Sequence, residues 1–187
     1  MSWSVQVVIE EVSQNFTVFP KSVEIVLSSG LLRLRPPCIQ DGEAISKELS
    51  DERVSRYLAA LPCPLDDRSL QDYLDFLTGP DQVSRVLEID GEFAGLISLS
   101  TQLTFWVARK YWRLGLASSA VKWAVERHLS SGSSRPLFAE VHASNQGSMR
   151  LLEKLGFEKT GQMKSRFSFV TETTEKFVVY DFKSFAD

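Results

Sequence analysis

Apolar and polar residues alternate with a period of two over residues 22–27 and 31–35, on either side of Ser28-Ser29-Gly30, and this predicts two strands joined as a hairpin. The same signature recurs over 84–89 and 93–100 around Asp90-Gly91, then leads into a further strand over 101–107. Between these hairpins the spacing becomes helical over 40–49, over 51–60 and, after Pro62 and Pro64, over 67–77, where Gly79-Pro80 ends it. Downstream the pattern predicts a helix over 112–129, with Leu116, Ala120, Trp123 or Ala124, and Val125 on its apolar face. A strand over 137–142 follows. Next comes a helix that starts near Asn145, runs through Leu155 and is closed by Gly156, which suits a left-handed cap. Two late strands, 159–170 and 174–182, flank the polar turn Thr171-Glu172-Thr173, and residues 2–10 and 16–19 also alternate like strands.

No repeat, low-complexity tract or linker interrupts this succession, so one α/β domain with a mixed sheet is expected. Residues 1–30 read as a strand-rich addition packed on the domain formed by 31–187. Composition acts by exclusion. The 187 residues are 43% hydrophobic and 24% charged, the balance of a folded core rather than of disorder. No apolar run nears the roughly 20 residues of a transmembrane helix. The N-terminus lacks the basic and apolar regions of a secretory leader, so a cytoplasmic protein with no membrane partner is expected. The net charge of −3 gives no reason to expect nucleic-acid binding. Cys38 and Cys63 have neither metal-ligand spacing nor a framework of partners, so free thiols and no metal site are expected.

Two segments carry the candidate chemistry, residues 105–120 and 140–157. In the first, a strand ending near Val107 runs into a basic turn and then a helix whose first turn holds Gly115, Ala117, Ser118 and Ser119. The first four amides of a helix have no internal partner and the macrodipole favours anions there, so small residues leave room for a phosphate or pyrophosphate. Arg109, Lys110 and Arg113 add positive charge. The same strand, turn and helix also occur where nothing binds. The second segment supplies Asn145, Ser148, Arg150, Leu152, Glu153, Lys154, Leu155, Gly156 and Phe157 in one register.

With these nine positions in place, the chain resembles the GNAT superfamily of N-acetyltransferases, and in particular its RimJ/RimL-type branch. The pyrophosphate loop of that family, Gln/Arg-x-x-Gly-x-Gly/Ala, falls on residues 112–117, where Gly115 and Ala117 match and Trp112 departs. Leu32-Arg33-Leu34-Arg35-Pro36 and the stretch 50–58 also resemble the start of the branch, so the likeness covers roughly 31–182. It implies a mostly antiparallel mixed sheet, flanked by helices, with a splayed parallel pair of strands that admits acetyl-CoA. Backbone groups of Phe105 and Val107 would pair with the pantetheine arm. The amides of Arg113, Leu114, Gly115, Leu116, Ala117 and Ser118 would hold the pyrophosphate. Asn145 would bond the arm or cap its helix or do both. Ser148 would lie near the thioester, and Arg150 or Lys154 would reach toward phosphate or form a solvated face.

The implied reaction is direct attack of a primary amine, on a protein N-terminus or a small molecule, on the acetyl thioester. It needs a proton acceptor, donors for the oxyanion and a proton for the thiolate. Glu140 and His142 lie two apart, hence on one face of their strand. Glu140 is the first choice for the base, with pairing to a basic neighbour such as Arg166 as the alternative. His142 reads equally as an exposed strand end. The tyrosine that many members carry on the second motif's helix is replaced here by Leu151 and Leu152; the likeness to the RimL type, with a serine at the Ser148 position, implies Ser148 as proton donor, and the Val107 N–H is expected as oxyanion donor. Acidic residues of the early helices, including Asp41, Asp51, Asp66 and Asp72, form either an amine-attracting lip or a solvated face. The aromatics Phe167, Phe169, Phe177, Tyr180 and Phe182 read as core or homodimer contact before substrate platform. A catalytically silent acyl-CoA-binding module is the alternative to an enzyme.

Overall fold

The computed structural model describes residues 7–8, 22–80, 82–100, 102–132 and 136–183. Six strands form an antiparallel sheet in sequential order: β1 (Val7–Val8), β2 (Val23–Leu27), β3 (Gly30–Arg35), β4 (Val83–Ile89), β5 (Glu92–Leu99) and β6 (Leu103–Val107). Helix α1 (Gly42–Leu49), a single turn α2 (Glu52–Ser55) and α3 (Asp67–Thr78) connect β3 to β4. Helix α4 (Leu116–Ser130) crosses from β6 to β7 (Phe138–His142), and α5 (Gln146–Lys154) follows. β7 belongs to a second sheet, in which β9 (Thr173–Phe182) lies between β7 and β8 (Phe157–Ser168). The sheets part between β6 and β7, and a helical crossover between neighbouring strands makes that pair parallel.

Most predicted elements stand where the pattern puts them, with two corrections. The helix expected over 51–60 is one turn. Asp51 caps it by accepting from the Arg53 N–H, and the chain leaves helical geometry after Arg56. The helix expected from Trp112 begins at Leu116, because Arg113 (φ +65°) and Gly115 (φ +87°) are left-handed and cannot continue a right-handed helix. Of the addition expected over 1–30, most lies outside the described residues. β1 pairs with β2, and β2 with β3, in one sheet with the rest.

Two cores cover the large sheet. Leu116, Ala120, Val121 and Ala124 of α4, all at most 1% exposed, pack with Leu32, Leu34, Leu87 and Ile97 on one face. Ile45 and Leu49 of α1 and Leu74 and Leu77 of α3 cover Val86, Leu96 and Trp106 on the other. Each fully buried leucine or isoleucine contributes about 1.5–3 kcal/mol. Sequence periodicity explains the α4 face except for Trp123 and Val125, which are half-buried at its border.

A buried ion cluster ties β3 to the start of α1. The Arg35 guanidinium donates to Asp41 at 2.9 Å and to Glu88 at 2.6 Å, and Asp41 also accepts from the Cys38 N–H at 2.8 Å. Burial alone would raise the Asp41 carboxyl, but hydrogen bonds from Arg35 and Cys38 outweigh it and hold it below the usual carboxylate range. A depressed carboxyl stabilises the fold above its unfolded value of about 3.9, and that contribution fades as pH falls through the folded value. Asp41→Ala is therefore expected to cost about 2–3 kcal/mol at pH 7. The difference from the wild type in a urea midpoint should shrink below pH 4; a pH-independent difference contradicts this role for the ion pair.

Candidate active site

The gap between β6 and β7 opens into a cleft of about 1410 Å³, walled by β6, the N-terminus of α4, the β7 end, the N-terminus of α5 and the β8 tip. Its first wall is a strand edge. Ala108 donates to Ala94 at 2.8 Å, so alternation along the antiparallel ladder turns the backbone groups of Trp106 and Thr104 toward β5, and those of Phe105 and Val107 toward the cleft. The Val107 carbonyl is an exception to the expected free edge, since it accepts from the Trp112 indole N–H at 2.7 Å. Trp112, the position that departs from the family loop, thus locks the turn onto β6 and leaves the Val107 N–H open.

The turn is pinned from three further directions. Ser29 donates to the Leu114 carbonyl at 3.0 Å, and Glu92 accepts from Lys110 at 2.8 Å and Tyr111 at 2.6 Å. Among the described residues no acceptor takes up the N–H groups of residues 113–118. Arg113 and Gly115 both have positive φ, which holds the chain in a tight turn ahead of α4 and leaves the amides of residues 113–115 outside any helix. Gly115, Ala117 and Ser118 line the cleft there, and Arg113 is exposed beside them. Open amides, a helix N-terminus, small side chains and a guanidinium suit a pyrophosphate; an unpaired strand edge suits an arm bearing amides.

On the opposite wall Asn145 caps α5, its Oδ1 accepting from the Ser148 N–H at 3.1 Å. The hydroxyl of Ser148 has no partner among the described residues and lines the cleft with Asn145 and Arg150. Lys154 does not line the cleft; of the two leucines in the stretch where many members carry a tyrosine, Leu151 lines it and Leu152 is fully buried. Glu140 is 5% exposed and paired on both oxygens, by Lys164 at 2.7 Å and by Arg166 at 3.0 Å. The ion pair that the sequence left as the alternative is formed, and it commits the lone pairs of this carboxylate to β8.

His142 is buried rather than an exposed strand end, at 9% exposure between the rings of Tyr57 and Phe177, whose centroids are 5.6 and 5.3 Å away. Its Nδ1 lies 2.9 Å from the Ser144 Oγ and its Nε2 lies 3.4 Å from Glu175. Ser144 and Glu175 carry no motif, and only the pairing of β7 with β9 brings Glu175 here. Tyr73 carries no motif either; its hydroxyl accepts from the Trp106 indole at 3.1 Å, and desolvation pushes its phenol up to about 12. Of the four acidic residues named for the lip, Asp41, Asp51 and Asp66 are consumed by the ion cluster and by two helix caps, and Asp72 lines the cleft. Phe177 and Tyr180 are core, whereas Phe167 and Phe169 are 54% exposed at the cleft mouth.

Residues 32–158, about two thirds of the chain, match the model of the acetyltransferase (GNAT) domain family. The chain belongs to this family. It is a GNAT acetyltransferase, an acyltransferase that uses acetyl-CoA. No curated protein matches the sequence. Similar solved structures include Mycobacterium smegmatis RimJ in complex with CoA-disulfide, 18% identical over 86% of this chain and 85% of that one, with a TM-score of 0.68. Another is the Salmonella typhimurium acetyl transferase that modifies the N-terminal serine of 50S ribosomal subunit protein L7/L12, 12% identical over 80% and 93%, TM-score 0.64. A third is the microcin C7 self-immunity acetyltransferase MccE in complex with acetyl-CoA and AMP, 12% identical over 82% and 96%, TM-score 0.63. These likenesses establish the GNAT fold, with its mostly antiparallel large sheet, second small sheet and flanking helices. No helix among the described residues is long and apolar enough to cross a membrane.

Proposed function

We propose that this GNAT acetyltransferase is of the RimJ/RimL type and moves the acetyl group from acetyl-CoA to a primary amine, on a protein N-terminus or a small molecule, by direct attack. The observation that carries the reading is the run of six N–H groups at residues 113–118 that no described residue accepts, set beside the cleft-facing β6 edge at Phe105 and the Val107 N–H. On this reading Phe105 and the second lone pair of the Val107 carbonyl, beside the one Trp112 uses, hydrogen-bond the pantetheine arm, and the amides of residues 113–118 with Arg113 hold the pyrophosphate. Asn145 keeps its cap and turns its remaining amide group to the arm. The Val107 N–H receives the developing oxyanion, Ser148 donates to the departing thiolate, and the exposed Arg150 meets phosphate from the rim. Much of the acceleration comes from holding amine and thioester together in the cleft.

Titration calorimetry with acetyl-CoA, coupled to thiol release over a panel of amines and N-terminal peptides with product mass, tests this. Micromolar binding, weakened about tenfold by Arg113→Glu, is expected; no binding by the wild type contradicts the reading. Glu140→Gln separates anchor from base. It should keep acetyl-CoA affinity and lower turnover less than about tenfold, while a loss on the order of 10³-fold would make the carboxylate the base.

A further inference from the structure

We propose that Ser144, His142 and Glu175 form a hydroxyl, imidazole and carboxylate relay that takes the proton from the acceptor ammonium; this rests on the acetyl-transfer reading above. An ammonium has no lone pair, so the cleft must contain an acceptor for one of its protons. Glu140 is committed to Lys164 and Arg166, Tyr111 to Glu92, and the half-buried Tyr73, its phenol pushed up to about 12, keeps its proton. Asp72 is exposed on α3 at the rim. His142 is the remaining base on the cleft wall, and its surroundings orient it. The Ser144 N–H donates to Nδ1 at 3.2 Å, which assigns Nδ1 as the acceptor and puts the imidazole proton on Nε2, the nitrogen 3.4 Å from Glu175 Oε2.

Glu175 is held in turn by the hydroxyls of Thr171 and Thr173, which donate to its Oε1 at 3.0 and 3.1 Å. Those two bonds, with a smaller share from His142, keep its carboxyl below the usual range and hence charged. The Tyr57 and Phe177 rings close the sides of the imidazole, while Ser144 is exposed to the cleft between His142 and the Asn145 cap. A proton therefore enters at Ser144 Oγ. The other charges around the ring are Glu140 on the same strand face, paired with Lys164 and Arg166 of β8, and Arg56, which lies over Tyr57 at 5.7 Å.

In the reaction one ammonium proton passes to Ser144 Oγ as the hydroxyl proton moves to Nδ1, leaving an imidazolium beside Glu175. The freed lone pair forms the C–N bond as the C–S bond breaks. A second nitrogen proton goes to the thiolate, and the imidazolium returns its proton to solvent. Ser144 is thus the catalytic residue that meets the amine, His142 stores the proton and Glu175 is a positioning residue.

The test uses the full chain with two amines of nearly one shape, which suit the aromatic mouth at Phe167 and Phe169: 2-phenylethylamine, an ammonium at neutral pH, and O-benzylhydroxylamine, which is neutral there. Thiol release from acetyl-CoA by His142→Gln and Ser144→Ala should fall about 100-fold with the first amine and less than about threefold with the second, with acetyl-CoA affinity kept. Glu175→Gln, on a partly exposed strand position, should show the same selective loss. Equal losses with both amines would overturn the relay. Imidazole nitrogen NMR of the wild type adds an acceptor-free measurement, in which an Nε2–H tautomer is expected and an Nδ1–H tautomer overturns the proposal. A wild type that fails to bind acetyl-CoA refutes the transfer reading itself, a different failure from equal losses in a protein that binds it.

Discussion

Ser118→Asp is expected to stabilise the fold while it abolishes cofactor binding, two effects of opposite sign from one carboxylate. Ser118 is the third residue of α4, in the turn where backbone amides are open and the macrodipole is positive. A negative side chain there adds about 0.3–1 kcal/mol of stability. The same carboxylate would stand where the pyrophosphate is proposed to lie. It would satisfy the amides from within and repel the phosphates, so acetyl-CoA affinity should fall at least about 100-fold, or roughly 2.7 kcal/mol. Thermal denaturation and titration calorimetry on one preparation read both signs. Unchanged affinity in a stabilised variant would move the phosphates away from α4.

Gly95→Ala is expected to be the most damaging single methyl group in the large sheet. The register of β4 and β5 shifts between Leu87 and Glu88, which leaves Ala94 as the extra residue of a bulge beside the end of β6. Gly95 follows it with φ +152°, and a Cβ there would sit 2.3 Å from the Trp106 carbonyl oxygen and 2.9 Å from the Val107 Cα. Both are backbone atoms in the strand that borders the cleft, so relief requires β6 to move. A cost of about 3 kcal/mol or more follows from strain and overpacking. Acetyl-CoA affinity should fall with it, because the displaced strand carries the open groups of Phe105 and Val107. A urea midpoint within about 0.5 kcal/mol of the wild type would show that the bulge adapts and does not set the β6 edge.

Much of this architecture is local, and local features are readable in a sequence. Asn145 capping α5 and Gly156 with φ +89° after it follow from residue type and position. What escapes is decided by partners far along the chain. Pairing of Glu140 with Arg166 is legible as an alternative, but nothing near Glu140 announces Lys164 or that both oxygens are taken, since both cations reach it across β9 only once the second sheet has assembled. The same assembly buries His142 and brings it Glu175. The segment 51–60 keeps helical spacing yet holds one turn, because Tyr57 packs on His142 and Ala59 accepts from the Phe169 N–H at the hairpin tip. Trp112 reads as a departure from the family loop, and only the fold reveals its bond to Val107.

Hydrogen exchange of the full chain with and without acetyl-CoA tests the central claim most directly, since that claim concerns particular amides. Among the described residues the N–H groups of 113–118 have no acceptor, and the Val107 N–H faces the cleft. They should exchange fast in the free protein and become strongly protected on saturation with acetyl-CoA, with little change at the β2–β3 turn. Protection confined to other segments, or none at residues 113–118 in a protein that binds acetyl-CoA, would contradict the site described for this chain.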